Sequence, residues 1–596
     1  MKLRLLVGLA AVCGALALAV IARSDPHPLG WSLWLAGLGA AWGAALVHDR
    51  EQASRPELRD RVALRRGDVL AMVLLALVAL ALRLYGLSPT LPPMHGDEGE
   101  MGMLARLAAH GPGGDRGAAP LAVFGTAFLD HPTLFHHIQA VALAVGGDSI
   151  EALRGLSAVF GALCIPLVYA FGRIGWNRTV GFVAAWLLAV SHLHLHFSRI
   201  ALNNIETTWC ACLLALLLVI AWAGAPAGSA GGAPSAPRLS LFVVIGFVLG
   251  GSQYFYLGSR LLVVVAALAL VALLRAGRAT FSELAAAAAS TLLVVAPLLI
   301  ALGRLPDGFA GRMRFVGAFT PQGLHHVLGA GSTWPRDLPR LAAVQLERNF
   351  SFLVGRGDSS SFYQVALGSF DAVTLTLFWL GAGAVLLRWR RFPAAMLLLW
   401  LGLGLLLGGV MTNDAPNGPR LLVVVPAVCL VAGVAAGTLR DLVRRWWPRG
   451  ERATSGVAAG VLCAVTLYLG ASTYFVRFPT QPTYGYLAEM GILMRERGSM
   501  AEVYLLGAPH LYAMHGTLRF LRDGVPATDV VDAGELPDIR RRALAAHQRL
   551  LVIAVAQRRE ELARFAAEFP GGVWGDHEDA IGRPTFARYE LPPGGP

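Results

Sequence analysis

Charge is scarce in this chain: Asp, Glu, Lys and Arg together make up 15% of its 596 residues, against 55% hydrophobic residues. So little charge cannot clothe the surface of a water-soluble protein of this length, and runs of about 20 apolar residues recur, as membrane-spanning helices require. Cysteine is scarce too. Cys13, Cys164, Cys210, Cys212, Cys429 and Cys463 all fall inside apolar runs, which excludes an external disulfide framework and a thiolate metal site. There is no internal repeat of the kind common in transporters. The polar C-terminal stretch has no Gly-rich phosphate loop and no nucleophile elbow, so no chemistry is assigned to it.

What is present reads as a polytopic α-helical membrane protein with about thirteen spans. They fall at residues 3–22, 29–48, 68–87, 150–172, 179–198, 203–223, 239–257, 259–275, 280–303, 369–388, 392–411, 420–438 and 456–475. The net charge of +12 comes from arginines sorted by loop. Arg50, Arg55, Arg59, Arg61, Arg65 and Arg66 share one loop. Arg173 and Arg178, Arg275 and Arg278, Arg388, Arg390 and Arg391, and Arg440, Arg444, Arg445 and Arg449 occupy others. Short arginine-rich loops stay cytoplasmic, so the basic charge is a topology signal and no nucleic-acid partner is implied. Residues 133–145 are short for a span and carry His136, His137 and Gln139. They read as an in-plane or re-entrant helix, which makes residues 88–149 the first external loop.

Three regions result: an uncleaved N-terminal hairpin at 1–48, a membrane region at 68–475, and an external α/β domain at 476–596. Residues 224–238, rich in Ala, Gly, Pro and Ser, read as a flexible connection. In the tail, strands are expected at 502–506, 529–531, 550–555 and 586–590, with helices at 511–521, 538–547 and 558–569.

The first loop opens on three acids, Asp97, Glu98 and Glu100, where a span ends. Carboxylates at a membrane interface are costly enough to suggest function. The same external face would receive Asp130 and His131, the His192/His194/His196 run, Tyr254, Tyr256 and Arg260, and the turn 412–420 with Arg420. An acid with several arginines at headgroup level suits a lipid phosphate carrying a polar group: the acid activates an acceptor and arginine holds the phosphate. Plainer readings stand beside these. Asp97 can N-cap a helix; Glu98 and Glu100 can complement a helix dipole. The histidines can be interfacial residues rather than ligands, since only His192 and His196 share a helical face. Tyr254 and Tyr256 can belong to an aromatic belt, and Arg260 and Arg420 can snorkel.

With those residues in place, the chain resembles the GT-C superfamily of integral-membrane glycosyltransferases, nearest to bacterial relatives of protein O-mannosyltransferases and lipid A aminoarabinose transferases. Asp97-Glu98 stands where the family has its Asp-Glu pair, and His131-Pro132 matches the His-Pro closing the first loop. Leu153-Arg154-Gly155-Leu156-Ser157 looks like the family's Leu-Arg-x-x-Ser, and Ser198-Arg199 like the Ser-Arg that ends a core span. The resemblance implies a polyprenyl-phosphate-linked sugar donor, an inverting mechanism and an active site on the extracytoplasmic face of the plasma (inner) membrane. Asp97 would be the general base that deprotonates the acceptor hydroxyl, with Glu98 beside it as the second catalytic residue. His131, Arg154, Arg199, Asn204, Tyr256, Arg260 and Arg420 would bind substrate. The acceptor would be a hydroxyl on a protein, lipid or polysaccharide. No cofactor or metal is expected: Asn204 stands where many relatives carry an acid. The hairpin 1–48 has no counterpart in the family.

The rivals are an oligosaccharyltransferase using a diphosphate-linked glycan and a lipid or polysaccharide transporter. Topology comes first among the tests. A cysteine at position 97 should react with an impermeant label in intact cells and one at position 390 only after permeabilisation; the reverse pattern overturns the scheme.

Overall fold

The computed structural model describes residues 2–25, 27–52, 62–110, 121–224, 238–305, 307, 310–355, 357–363, 368–480, 485–579 and 581–594. Arg55, Arg59, Arg61, Tyr484, nearly all of the 224–238 connection and part of the first loop lie outside the described residues.

The chain is a multi-pass helical membrane protein. Ten of its described helices are long and apolar enough to cross a bilayer. The N-terminal pair, Lys2–Arg23 and Pro28–Gln52, pack on each other and on Phe281–Leu302, with most of their surface left for lipid. At the other extreme stands Val425–Trp446, whose residues 425–435 are all buried. Small residues let its neighbours approach. A Cβ at Gly433 would lie 2.7 Å from the Val180 carbonyl oxygen, and one at Gly381 would overlap the Val431 carbonyl oxygen at 1.9 Å.

Three expected spans are shorter in the structure. The span expected at 179–198 stops at Val190: Ser191 breaks it, and the Ser191 hydroxyl accepts the His194 N–H at the start of a second helix, His192–Phe197. The span expected at 239–257 stops at Ser252, where the backbone turns toward Tyr256. The one expected at 369–388 begins at Ala372, because Asp371 caps it, accepting from the Thr374 N–H (2.9 Å) and hydroxyl (2.6 Å). With Leu134–Gly146, the stretch expected in plane, these are the four shorter apolar helices.

The C-terminal domain has five strands: β1 (Ala501–Leu506), β2 (Ala527–Asp529), β3 (Arg549–Val555), β4 (Val573–Glu578) and β5 (Pro584–Leu591). Their order is β2-β1-β3-β5-β4, with β1 parallel to β2 and β3, and β5 antiparallel to β3 and β4. Alternation along β3 divides the core. Leu551 and Ile553 meet Met490, Met494 and Leu518 on one face; Leu550 and Val552 meet Ile539, Leu562 and Phe565 on the other. Two elements escape the sequence reading: β4, a polar edge strand, and the helix Gly485–Gly498. The helix expected at 511–521 is reduced to Gly516–Leu521. That short helix faces the membrane region and packs on Gly96–His110, the helix carrying the loop acids.

Candidate active site

The neighbouring acids Asp97 and Glu98 sit in opposite environments. Glu98 is fully buried and saturated. Arg154 donates to it through two nitrogens, Nε to Oε1 (2.7 Å) and Nη2 to Oε2 (2.8 Å), and the Ala201 N–H donates to Oε1 (2.8 Å). The remaining Arg154 nitrogen donates to the carbonyls of Ser88 and Pro92. One carboxylate thus ties the first loop to the helix Ile150–Gly175 and to the turn after Arg199.

The side chain of Asp97 is 32% exposed, and its carboxylate accepts no hydrogen bond from the described residues. Nor does it cap its helix. His95 does that: its Nδ1 accepts the Asp97 backbone N–H (3.1 Å). A nitrogen that accepts carries no proton, so the His95 proton sits on Nε2, 3.1 Å from the Ser361 hydroxyl. Burial holds the His95 imidazole below its ordinary range, against the opposing charges of Asp97 and Glu98. Although Asp97 Oδ1 is 3.7 Å from His95 Nδ1, a neutral accepting nitrogen gives it nothing. The Asp97 carboxylate is left available as a base.

A cavity of about 530 Å³ gathers four of the expected binding residues, His131, Tyr256, Arg260 and Arg420, and adds Arg312 and Thr320. His131 stacks on Tyr256 with ring centres 5.9 Å apart. Burial, reinforced by Arg312, holds its imidazole below the ordinary range, while the Asp97 charge reaches it in the opposite sense. A neutral His131 donates through Nδ1 to the Phe128 carbonyl (3.0 Å), which leaves Nε2 as an acceptor for a hydroxyl. Asp414 engages Arg420 through one guanidinium nitrogen and also accepts from Asn417 (2.9 Å). Arg260 begins the helix Arg260–Arg275. Three arginines around one cavity, with an aromatic wall, suit a phosphate attached to an apolar chain.

Other expected residues have internal duties instead. Arg154 is committed to Glu98. Arg199 is fully buried and donates to the carbonyls of Leu82, Arg83, Tyr85 and Gly86 at 2.6–3.2 Å. It therefore satisfies the C-terminal end of the helix Arg66–Leu84, where unpaired carbonyls favour a cation. Buried Asn204 donates to the Pro419 carbonyl (3.3 Å), bracing one helix start against another. In this geometry Arg154, Arg199, Asn204 and Glu98 are each engaged by protein groups.

The histidine run is packing. His192 meets the Tyr363 hydroxyl (3.0 Å), His196 stacks on the same ring (4.2 Å), and His194 pairs with Arg83 (2.8 Å). Among the described residues no three His, Cys, Asp or Glu side chains are grouped to hold a metal ion. Arg312, Ser361 and His515 were not singled out from sequence. Arg312 lies on the short helix Gly311–Val316 and His515 at the start of Gly516–Leu521, and neither residue carried a motif.

Residues 130–300 match the family model described as dolichyl-phosphate-mannose-protein mannosyltransferase. The fold is shared with ArnT from Cupriavidus metallidurans in the apo state: TM-score 0.54 and 14% identity over 89% of this chain and 99% of that one. ArnT bound to undecaprenyl phosphate gives 0.49 and 15%, over 89% and 100%. Archaeal oligosaccharyltransferase AglB from Archaeoglobus fulgidus, in complex with an inhibitory peptide and a dolichol-phosphate, gives 0.48 and 12%, over 87% and 74%. No curated protein matches the sequence. The chain thus has the fold of ArnT, and over residues 130–300 it resembles the protein mannosyltransferase family.

The contrast between the two acids is measurable as stability. Glu98→Ala strands Arg154 in the interior and is expected to cost about 3–5 kcal/mol, read as a lower unfolding temperature in detergent. Asp97→Ala removes no bond and should stay within about 0.5 kcal/mol of the parent.

Proposed function

We propose that this protein transfers one sugar from a polyprenyl-phosphate-linked donor to a hydroxyl acceptor on the extracytoplasmic face of the membrane, with inversion. The observation that carries this reading is the Asp97 carboxylate, which accepts no hydrogen bond among the described residues and whose charge is felt by His131 in the wall of an arginine-lined cavity. The matched family model, whose description names a dolichyl-phosphate sugar and a protein acceptor, supports the donor class.

In this mechanism the cavity holds the donor phosphate between Arg260, Arg312 and Arg420, with the apolar carrier chain leaving toward the bilayer. The acceptor hydroxyl loses its proton to an Asp97 oxygen while its own oxygen attacks the anomeric carbon from the side opposite the phosphate. The carbon–oxygen bond to the phosphate breaks, and the arginines stabilise the charge that develops on the leaving group. His131, held neutral, accepts a hydrogen bond from a sugar or acceptor hydroxyl.

Two experiments address the two halves. Asp97→Asn keeps shape and removes basicity, so transfer should fall on the order of a hundredfold or more with normal expression; transfer near the parental rate removes Asp97 as the base. Arg260→Ala and Arg420→Ala should each weaken binding of the carrier lipid phosphate by about 1.5–3 kcal/mol. Lysine should restore only part, because an ammonium cannot reproduce the guanidinium fork. Full rescue by lysine, or unchanged affinity in both alanine variants, would identify them as interfacial anchors.

A further inference from the structure

The C-terminal domain meets the carboxylate helix along residues 515–523, where Asp523 also lies 3.6 Å from Arg106. Gly96, Gly99 and Gly102 recur every third residue along Gly96–His110 and present a face without side chains. A Cβ at Gly99 would lie 2.2 Å from the Gly516 carbonyl oxygen, and one at Gly102 would lie 2.6 Å from the Phe520 ring. The segment is also bonded in place. The Thr517 hydroxyl donates to the Met94 carbonyl (3.0 Å), and Arg519 Nη1 to both oxygens of Glu100 (3.0 and 2.9 Å). Arg106 donates to the Phe520 carbonyl (2.8 Å) and lies 3.9 Å over its ring. Met94, Ala105, Phe520 and Leu521 share one buried cluster.

This docking brings His515 to the residue before Asp97. Its ring atoms Cε1 and Nε2 lie 3.0 Å from where a Gly96 Cβ would stand, and its Nδ1 is buried without a hydrogen-bond partner. Three imidazoles feel the Asp97 charge: His95, His131 and His515. His95 is fixed by the helix cap and Ser361, and His131 by the Phe128 carbonyl. On the carboxylate helix, Glu98 and Glu100 are neutralised by Arg154 and Arg519. His515 alone comes from the other domain.

We propose that the C-terminal domain is part of the catalytic unit: it locks the carboxylate helix in position and supplies His515 as a positioning residue for Asp97 on the acceptor side. This rests on Asp97 being the base. Burial and the neighbouring His95 keep the His515 imidazole below its ordinary range, so at neutral pH it adds an uncharged polar wall beside the carboxylate. A hydroxyl arriving at Asp97 meets that wall.

The test uses the full-length enzyme, with binding of undecaprenyl phosphate as the check that the membrane region is intact. Gly99→Ala pushes the segment off and should lower kcat at least tenfold while the lipid phosphate binds as before. His515→Ala should lower kcat by a similar factor, and His515→Gln, polar and uncharged, should restore much of it. His515→Lys places a cation beside Asp97, so the acid limb of the pH–rate profile should move to lower pH by about half a unit or more. A purely structural histidine would leave that limb where it is. Parental transfer in Gly99→Ala and His515→Ala, or an unmoved limb in a folded His515→Lys enzyme, overturns the proposal while Asp97→Asn still abolishes transfer. If Asp97→Asn is itself active, the base assignment has failed instead.

Discussion

The buried pair of Glu98 and Arg154 is the constraint on which the rest of the site depends. Two charges removed from water are stable only if every lone pair and N–H finds a partner. Here the Ala201 N–H and the Ser88 and Pro92 carbonyls complete the set. Those partners come from the end of a membrane helix, the first loop, the helix Ile150–Gly175 and the turn after Arg199. None of these can move separately without exposing a buried charge. Glu98 thereby fixes the direction of its helix, and Asp97, one residue earlier, inherits that precision without being bonded itself. The base proposed above needs its lone pairs unoccupied and its backbone held, and in that proposal two adjacent acids divide those requirements between them.

A second consequence concerns the arginines. Arg154, Arg199, Arg260 and Arg420 are chemically identical, and each was a candidate for the donor phosphate. Their surroundings separate them. Arg199 lies at the carbonyl end of Arg66–Leu84 and is turned into a helix cap. Arg154 is held by Glu98. Arg260 and Arg420 stand at the wall of a cavity, joined by Arg312 from the short helix Gly311–Val316. A guanidinium buried among carbonyls is ringed by protein acceptors, whereas one that lines a cavity borders space a ligand can fill.

The C-terminal domain extends the same logic. Its sheet is a conventional mixed arrangement, and its contact with the carboxylate helix depends on glycines that allow backbone to touch backbone. Such a contact transmits position well because nothing flexible lies between the two helices. It also places His515 where no residue of the membrane region stands.

Much of this protein was legible in the sequence. Lipid removes the option of unpaired backbone, so apolar runs must be helices, and the ten long ones, the break before a polar tail and the acids at a helix start could all be read. Strands β1 and β3 were legible as two short apolar runs. What escaped was decided by neighbours distant in the chain. The acids Asp97 and Glu98 look alike until Arg154, 56 residues away, claims one of them. His515 acquires a role only because Gly99 lets Gly516 approach it. Sequence determines which groups can ionise, span or cap; which of them remain free to meet a substrate depends on hydrogen-bond partners that only the folded chain brings together.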